Sequence, residues 1–227
     1  MNSSIFNTNG ESEKIESKIK DFLNKKLLNN ASDSLSANIQ ISPRAAGDAI
    51  QELLSANFKT LLGEQNCAEY SERFARRAMA DLAFTDKEGI YYVVDVKTHR
   101  IGTEFNMPNL TSVERLARFY EEEKHYFVIL MVSYDFDDEK IKIENVHFVP
   151  VEFLDWQCLT IGALGWGQLQ IKNSNNISID NSMTRKKWML MLCDALLEFY
   201  PDEIAKIKNR IQYFDRIKET WLAQPDE

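Results

Sequence analysis

The chain has 227 residues, 44% of them apolar and 11% aromatic, with 35 acidic against 27 basic side chains for a formal charge of −8. That composition fits one soluble α/β (α+β) domain and excludes a disordered or fibrous chain. The charge argues against indiscriminate phosphate-driven binding to nucleic acid, though not against a site-specific DNA enzyme whose cleft holds acidic ligands. No run approaches the roughly 20 apolar residues that span a bilayer, and the N-terminus is polar, so a cytoplasmic protein with no membrane contact is expected. Cys67, Cys158 and Cys193 are widely spaced and form no CxxC pair, which reads as free thiols in a reducing compartment.

A single domain over residues 1–227 is expected, since no internal repeat or second boundary is visible. Residues 1–10 are rich in Asn and Ser and are expected to be mobile. Residues 11–40 read as an N-terminal helix and linker. Ile15, Ile19, Phe22, Leu23 and Leu27 recur at helical spacing, giving an apolar face read as core in preference to a dimer surface. Residues 32–43 are a polar linker. A second helix is predicted over 44–62, opened by Ala45-Ala46-Gly47-Asp48, and a third over 68–80, basic on one side through Arg73, Arg76 and Arg77.

A hairpin follows. Leu82-Ala83-Phe84-Thr85 and the apolar run Ile90-Tyr91-Tyr92-Val93-Val94 read as strands joined by the turn residues Asp86-Lys87-Glu88-Gly89. Period two puts Asp95 and Lys97 on one face of the second strand and Val94 and Val96 on the other. The hairpin also brings Asp81 back to within about one residue of Asp95. Two carboxylates and an amine at the end of a buried strand are costly unless they pair or bind something, and the constellation reads as a divalent-metal site. The same Asp/Glu-x-Lys spacing recurs at Glu16-Ser17-Lys18, Glu122-Glu123-Lys124 and Asp138-Glu139-Lys140. Those three lack a buried strand and a second acid, and read as solvated surface.

Residues 98–108 are too polar for core and read as a loop, and Asn109-Leu110-Thr111 leads into a helix ending near Lys124. Residues 126–134 are predicted as a central strand and 140–148 as its less regular neighbour. A short helix is expected near 151–156, an edge-like strand at Gln168-Leu169-Gln170-Ile171, a helix over 184–200, and a final helix begun by Pro201 and running to about Trp221. Arg185-Lys186-Lys187 and Lys172 read as a basic patch. Trp156, Trp166 and Trp188 read as core or interface aromatics. Together these elements imply a mixed central sheet flanked by helices, with Asp95 and Lys97 in its middle.

The strand-borne Asp81, the motif Asp95-Val96-Lys97-Thr98 and the helix that follows resemble the PD-(D/E)xK core of type II restriction endonucleases, closest to the HincII type. Ala45-Ala46-Gly47-Asp48 is similar to the opening of that group's early helix, and Ala80-Asp81-Leu82 to the segment with its first metal-binding Asp. Pro108-Asn109 stands where the group carries a base-reading Pro-Asn. Residues 166–171 and Thr184-Arg185-Lys186-Lys187-Trp188 resemble its Gln-rich strand and closing helix. The likeness spans roughly residues 40–215 and is thin over 113–155. Residue 80 is Ala where the superfamily name has Pro.

The resemblance implies a restriction-endonuclease-like fold and Mg²⁺-dependent hydrolysis of double-stranded DNA at a short palindromic site, GANTC being a candidate. The products would carry 5′-phosphate and 3′-hydroxyl ends. Asp81, Asp95 and the Val96 carbonyl would hold Mg²⁺, and Lys97 would orient the attacking water, stabilise charge or accept a proton. Asp48 is a further candidate acid, with a surface or capping role as the alternative. For DNA contact the first choice is Asn109, by resemblance, followed by Asn106 and Arg100. Thr98, His99 and Thr103 lie in the same loop. Gln168, Gln170, Lys172 and Asn173 could touch the backbone or a second groove. A palindrome cut on both strands implies a homodimer with two active sites. Two other readings stay open: a structure-specific repair or recombination nuclease on the same core, and a non-catalytic DNA-binding module.

Overall fold

A computed structural model describes residues 4–6, 10–29, 43–70, 80–104, 106–137 and 140–225. Helices α1 (Glu11–Asn29) and α2 (Pro43–Leu62) precede the strands β1 (Glu69–Tyr70), β2 (Leu82–Thr85) and β3 (Tyr91–Arg100). Then come β4 (Asn109–Ser112), α3 (Val113–Phe119), β5 (His125–Asp137) and β6 (Lys140–Pro150). The chain closes with β7 (Leu159–Gly162), β8 (Gln168–Ile171) and the long helix α4 (Arg185–Leu222). The class is α+β, with a mixed five-stranded sheet in the order β1-β2-β3-β5-β6 and a three-stranded sheet in the order β4-β8-β7. β3 is the middle strand of the larger sheet. It runs antiparallel to β2 and parallel to β5.

Alternation along the strands sorts the core into two layers. Tyr92, Val94 and Val96 of β3, with Val128, Leu130 and Val132 of β5, pack against α1 and α2. Val93, Phe127, Ile129 and Met131 face the opposite layer, built on Leu116 of α3, Leu169 of β8, and Trp188 and Leu192 of α4. Ile15, Ile19 and Leu23 are fully buried, so the apolar face of α1 is core. α1 also closes the outer edge of β6, where unpaired main-chain groups need partners. Asn24 brackets Ile143, Lys20 donates to the Glu144 carbonyl at 2.6 Å, and Glu16 accepts the Phe148 N–H at 2.7 Å. The uneven spacing of Ile141, Ile143 and Val146 is a β-bulge: Ser133 faces Asn145 while Tyr134 faces Ile143.

Several expectations change. Ser4 and Ile5 lie buried within the segment read as mobile, with the Ile5 N–H donating to the Tyr92 hydroxyl at 3.3 Å. Glu16 is not solvated surface: it is half-buried against β6 with the Phe148 N–H on its carboxylate, and that burial lifts its carboxyl to about 6. Glu69 and Tyr70 form a strand on β2 where a helix was predicted. The rest of that segment, Arg73, Arg76 and Arg77 included, and the linker over 32–42 lie outside the described residues, as do Asp138 and Glu139. β3 continues through Thr98, His99 and Arg100 rather than ending at Lys97, because its parallel ladder with β5 runs on to Arg100 and Tyr134. Asn109–Ser112 is a strand, and β8 is the centre of its sheet rather than an edge, since β7 was not foreseen. Residues 151–156 hold no α-helix; two 3₁₀ turns, Val151–Phe153 and Trp156–Cys158, stand there. Pro201 sits inside α4 without ending it. Trp188 is fully buried and packs against Trp156, ring centroids 5.2 Å apart at a tilt of 34°, but Trp166 is 73% exposed.

Candidate active site

The β2–β3 hairpin assembles the site. Asp86 is buried in the turn, where Oδ1 accepts the N–H groups of Glu88 and Ile90, both at 2.9 Å, and Oδ2 accepts the Tyr92 hydroxyl at 2.8 Å. This sets the register Leu82 to Val94, and the Asp81 N–H then donates to the Val94 carbonyl at 3.0 Å. Beyond that rung β2 is over while β3 continues. The Asp81 carboxylate turns along the open edge and accepts the Val96 N–H at 2.8 Å. Asp81 therefore straddles Asp95, gripping the residue on either side of it. The Val96 carbonyl emerges on the same edge as its own N–H, because both main-chain groups of a strand residue point the same way.

Asp95 and Lys97 share the other face of the strand. Lys97 Nζ donates to Asp95 Oδ1 at 2.8 Å, with the Asp95 side chain 7% exposed and that of Lys97 24%. Asp95 Oδ2 is buried with no hydrogen-bond partner. Burial pushes the Asp95 carboxyl up to about 7, Lys97 pulls it down and Asp81 pushes it up again. A carboxylate so placed has a cation on one oxygen and no partner on the other. Two carboxylates and a neighbouring carbonyl match the hard oxygen set through which Mg²⁺ is held, the other positions being left to water and a phosphate oxygen. Among the described residues no group of three or more His, Cys, Asp or Glu side chains is arranged to hold a metal, so any ion here rests on that smaller set.

Asp48 is exposed on α2. Its neighbour Gly47 packs against Thr98, and a Cβ there would stand 2.6 Å from Thr98 Oγ1. Thr98 follows Val94 and Val96 on the α2 side of β3, so this contact is on the face opposite to Asp95 and Lys97. Asp48 is thus not brought against the two carboxylates, and the charges that act on Asp95 are those of Lys97 and Asp81.

The loop after β3 is tied down by Asn175, a residue not singled out from sequence although its neighbour Asn173 was. Asn175 Oδ1 lies 2.8 Å from His99 Nε2 and accepts the Gly102 N–H at 3.1 Å, while its amide donates to the Thr103 carbonyl at 3.1 Å. His99 Nδ1 lies 2.7 Å from the Asn106 amide nitrogen. His99 is 2% exposed with both ring nitrogens engaged, so it braces the loop. The Asn106 carbonyl takes the Ser174 N–H at 3.2 Å, and the Pro108 carbonyl takes that of Ile171 at 3.1 Å. The available sequence signal was the turn-forming run Asn173-Ser174-Asn175-Asn176. Asn173 Oδ1 in turn accepts the Asn175 N–H at 2.9 Å.

Asn109 and Gln170, far apart in sequence, face each other across β4 and β8, and the Gln170 amide donates to Asn109 Oδ1. The Gln170 side chain lies across Gly162, where a Cβ would come within 2.5 Å of it. Gln168 pairs with Ser112 and Gly162 on the same sheet. Arg100 is exposed, 3.6 Å from Asp135 and over the Phe136 ring, and Thr103 is exposed at the loop. Lys172 is exposed and donates to the Gln157 carbonyl at 3.0 Å. Arg185 does not belong to a surface basic patch. It pairs with buried Glu152 at 2.9 Å, covers the Tyr120 and Tyr126 rings, and helps hold Glu152 with the Tyr120 hydroxyl.

No model of a known protein family and no curated protein matches this sequence. Among the described residues, no helix is long and apolar enough to cross a membrane.

Proposed function

We propose that this chain is a Mg²⁺-dependent, site-specific deoxyribonuclease of the type II restriction class. It acts as a cytoplasmic homodimer that hydrolyses both strands of double-stranded DNA at a short palindrome, with GANTC the first sequence to try. The observation that carries this reading is Asp95: a buried carboxylate with one oxygen unpartnered, an amine on the other, and Asp81 at its side. The large majority of buried side-chain polar atoms have a hydrogen-bond partner, so a lone carboxylate oxygen in the interior calls for one, and a cation supplies it.

Asp81, Asp95 and the Val96 carbonyl are the groups that would hold the metal. When bound, Mg²⁺ supplies Lewis-acid charge against a phosphate oxygen and lowers the pKa of a water. Lys97 Nζ, anchored on Asp95 Oδ1, offers its remaining protons to the attacking water and to the phosphate oxygens as negative charge develops there. The Asp81 bond to Val96 keeps the two acids in register with each other. Asn109 and Gln170 present amide donors and acceptors of the type that pairs with an adenine edge, with Asn106, Arg100 and Thr103 alongside.

The test is digestion of a plasmid of known sequence with Mg²⁺, followed by mapping of the ends. Discrete fragments with 5′-phosphate and 3′-hydroxyl ends at one palindrome are expected. Nicking confined to branched or damaged DNA would instead select a structure-specific nuclease. Absence of any metal-dependent cleavage would leave only a non-catalytic DNA-binding module.

A further inference from the structure

The 38 residues of α4 extend about 57 Å at 1.5 Å per residue. Only the first turns are anchored: Trp188 and Leu192 are buried in the core, whereas no residue over 202–222 is buried. In proteins most of a helix's stability comes from packing an apolar face rather than from propensity. This one carries a second apolar stripe that, among the described residues, its own domain touches only at Tyr200, whose hydroxyl donates to the Trp166 carbonyl at 2.9 Å.

The stripe follows a heptad. With Leu190 placed at position a, Leu197, Ile204 and Ile211 fall at a, and Tyr200, Ile207, Phe214 and Trp221 fall at d. All eight are between 37% and 73% exposed. The buried Trp188 and Leu192 fall at f and c, so the helix anchors itself by one side and turns the a/d seam away. A repeat of 3.5 residues sustained over four heptads is the pattern of a left-handed coiled coil.

The flanking charges choose the partner. In a parallel pair in register, each g residue faces the e residue five positions later on the other helix. Glu203 then meets the partner's Lys208, Arg210 meets the partner's Asp215, and Ile217 meets the partner's Leu222. Two opposite-charge contacts and one apolar contact, each made twice by symmetry, come from one sequence paired with itself. Lys218 is the single charged residue at an a position, a device that fixes register and strand number at some loss of stability.

We infer that the C-terminal half of α4 is the dimerisation element, forming a parallel two-stranded coiled coil with the same helix of a second copy of this chain. This rests on the homodimer proposed above and names its surface. The test reads mass, so a chain that dimerises through α4 but shows no Mg²⁺-dependent cleavage upholds the pairing while the nuclease reading fails. By sedimentation equilibrium, the full chain at about 10 μM is expected at twice its 26.3 kDa. Ile211→Glu with Phe214→Glu is expected to give a monomer whose core still melts cooperatively, since both side chains are exposed in the single chain. Arg210→Glu turns two attractions into repulsions and is expected to raise the dimer dissociation constant roughly tenfold. Adding Asp215→Arg is expected to restore it. A monomeric wild-type chain, a dimer that survives the double Glu substitution, or no rescue by Asp215→Arg overturns the proposal.

Discussion

The Asp81 carboxylate accepts the Val96 N–H at 2.8 Å, one rung past the last pair that β2 makes with β3. One side chain thus closes the strand edge and stands beside Asp95. The two roles separate by substitution. Asp81→Asn keeps an acceptor for Val96 and should retain wild-type stability while losing Mg²⁺ binding and cleavage. Asp81→Ala should lose cleavage and also about 1 kcal/mol of stability. Urea unfolding beside plasmid cleavage distinguishes the pair, and equal stabilities would refute the strand-edge role.

Asp95→Ala should abolish cleavage and leave DNA binding largely intact, because the loop and the β4–β8 sheet do not depend on it. Mg²⁺ should raise the melting temperature of the wild-type protein but not of this variant. A metal-induced shift that persists in Asp95→Ala would move the metal elsewhere.

Glu16 gives a pH dependence remote from Asp81 and Asp95. Its carboxyl is lifted from 4.5 to about 6 mainly by burial, against the Phe148 N–H that it accepts. A raised carboxyl holds its proton more tightly in the folded state, so its contribution is fully present below about 4.5 and is lost as pH rises through about 6. Glu16→Gln keeps an acceptor for Phe148 and cannot ionise. It should therefore be more stable than wild type by about 1 kcal/mol at pH 8, after allowance for solvent screening, and no more stable at pH 4. Denaturant melts at the two pH values decide it.

Glu152 is 2% exposed and shared between Arg185 and the Tyr120 hydroxyl. Glu152→Ala leaves a partly buried guanidinium without its counter-charge and should destabilise by about 3 kcal/mol. Glu152→Ala combined with Arg185→Met should recover part of that loss. Equilibrium unfolding of the single and double variants gives the coupling.

Asn175→Ala should loosen the loop that carries Asn106 and Pro108 without touching Asp81, Asp95 or Lys97. Cognate DNA affinity should fall roughly tenfold, equivalent to about 1.4 kcal/mol, while the Mg²⁺-dependent rise in melting temperature stays. Loss of both together would mean that the variant disturbs the whole domain.

Local pattern by itself determined the elements whose signal lies within a few residues. The apolar face of α1, the turn at Asp86, the continuous apolar run of β5 and the pairing of Asp81 with Asp95 all follow from periodicity and turn chemistry, which act between near neighbours. What only the tertiary structure decided depends on partners distant in sequence. Asn109 meets Gln170 because β4 and β8 pair across 61 residues, and Asn175 braces His99 from 76 residues away. β7 and β4 are four-residue strands whose propensity is weak until β8 lies between them. Pro201 removes one N–H from α4, a local loss that ends many helices, yet its fixed φ suits a helix and the hydrogen bonds on either side carry the chain through. The burial that lifts the Asp95 carboxyl to about 7 is likewise decided by the layers packed around β3, since desolvation is a property of everything surrounding a charge.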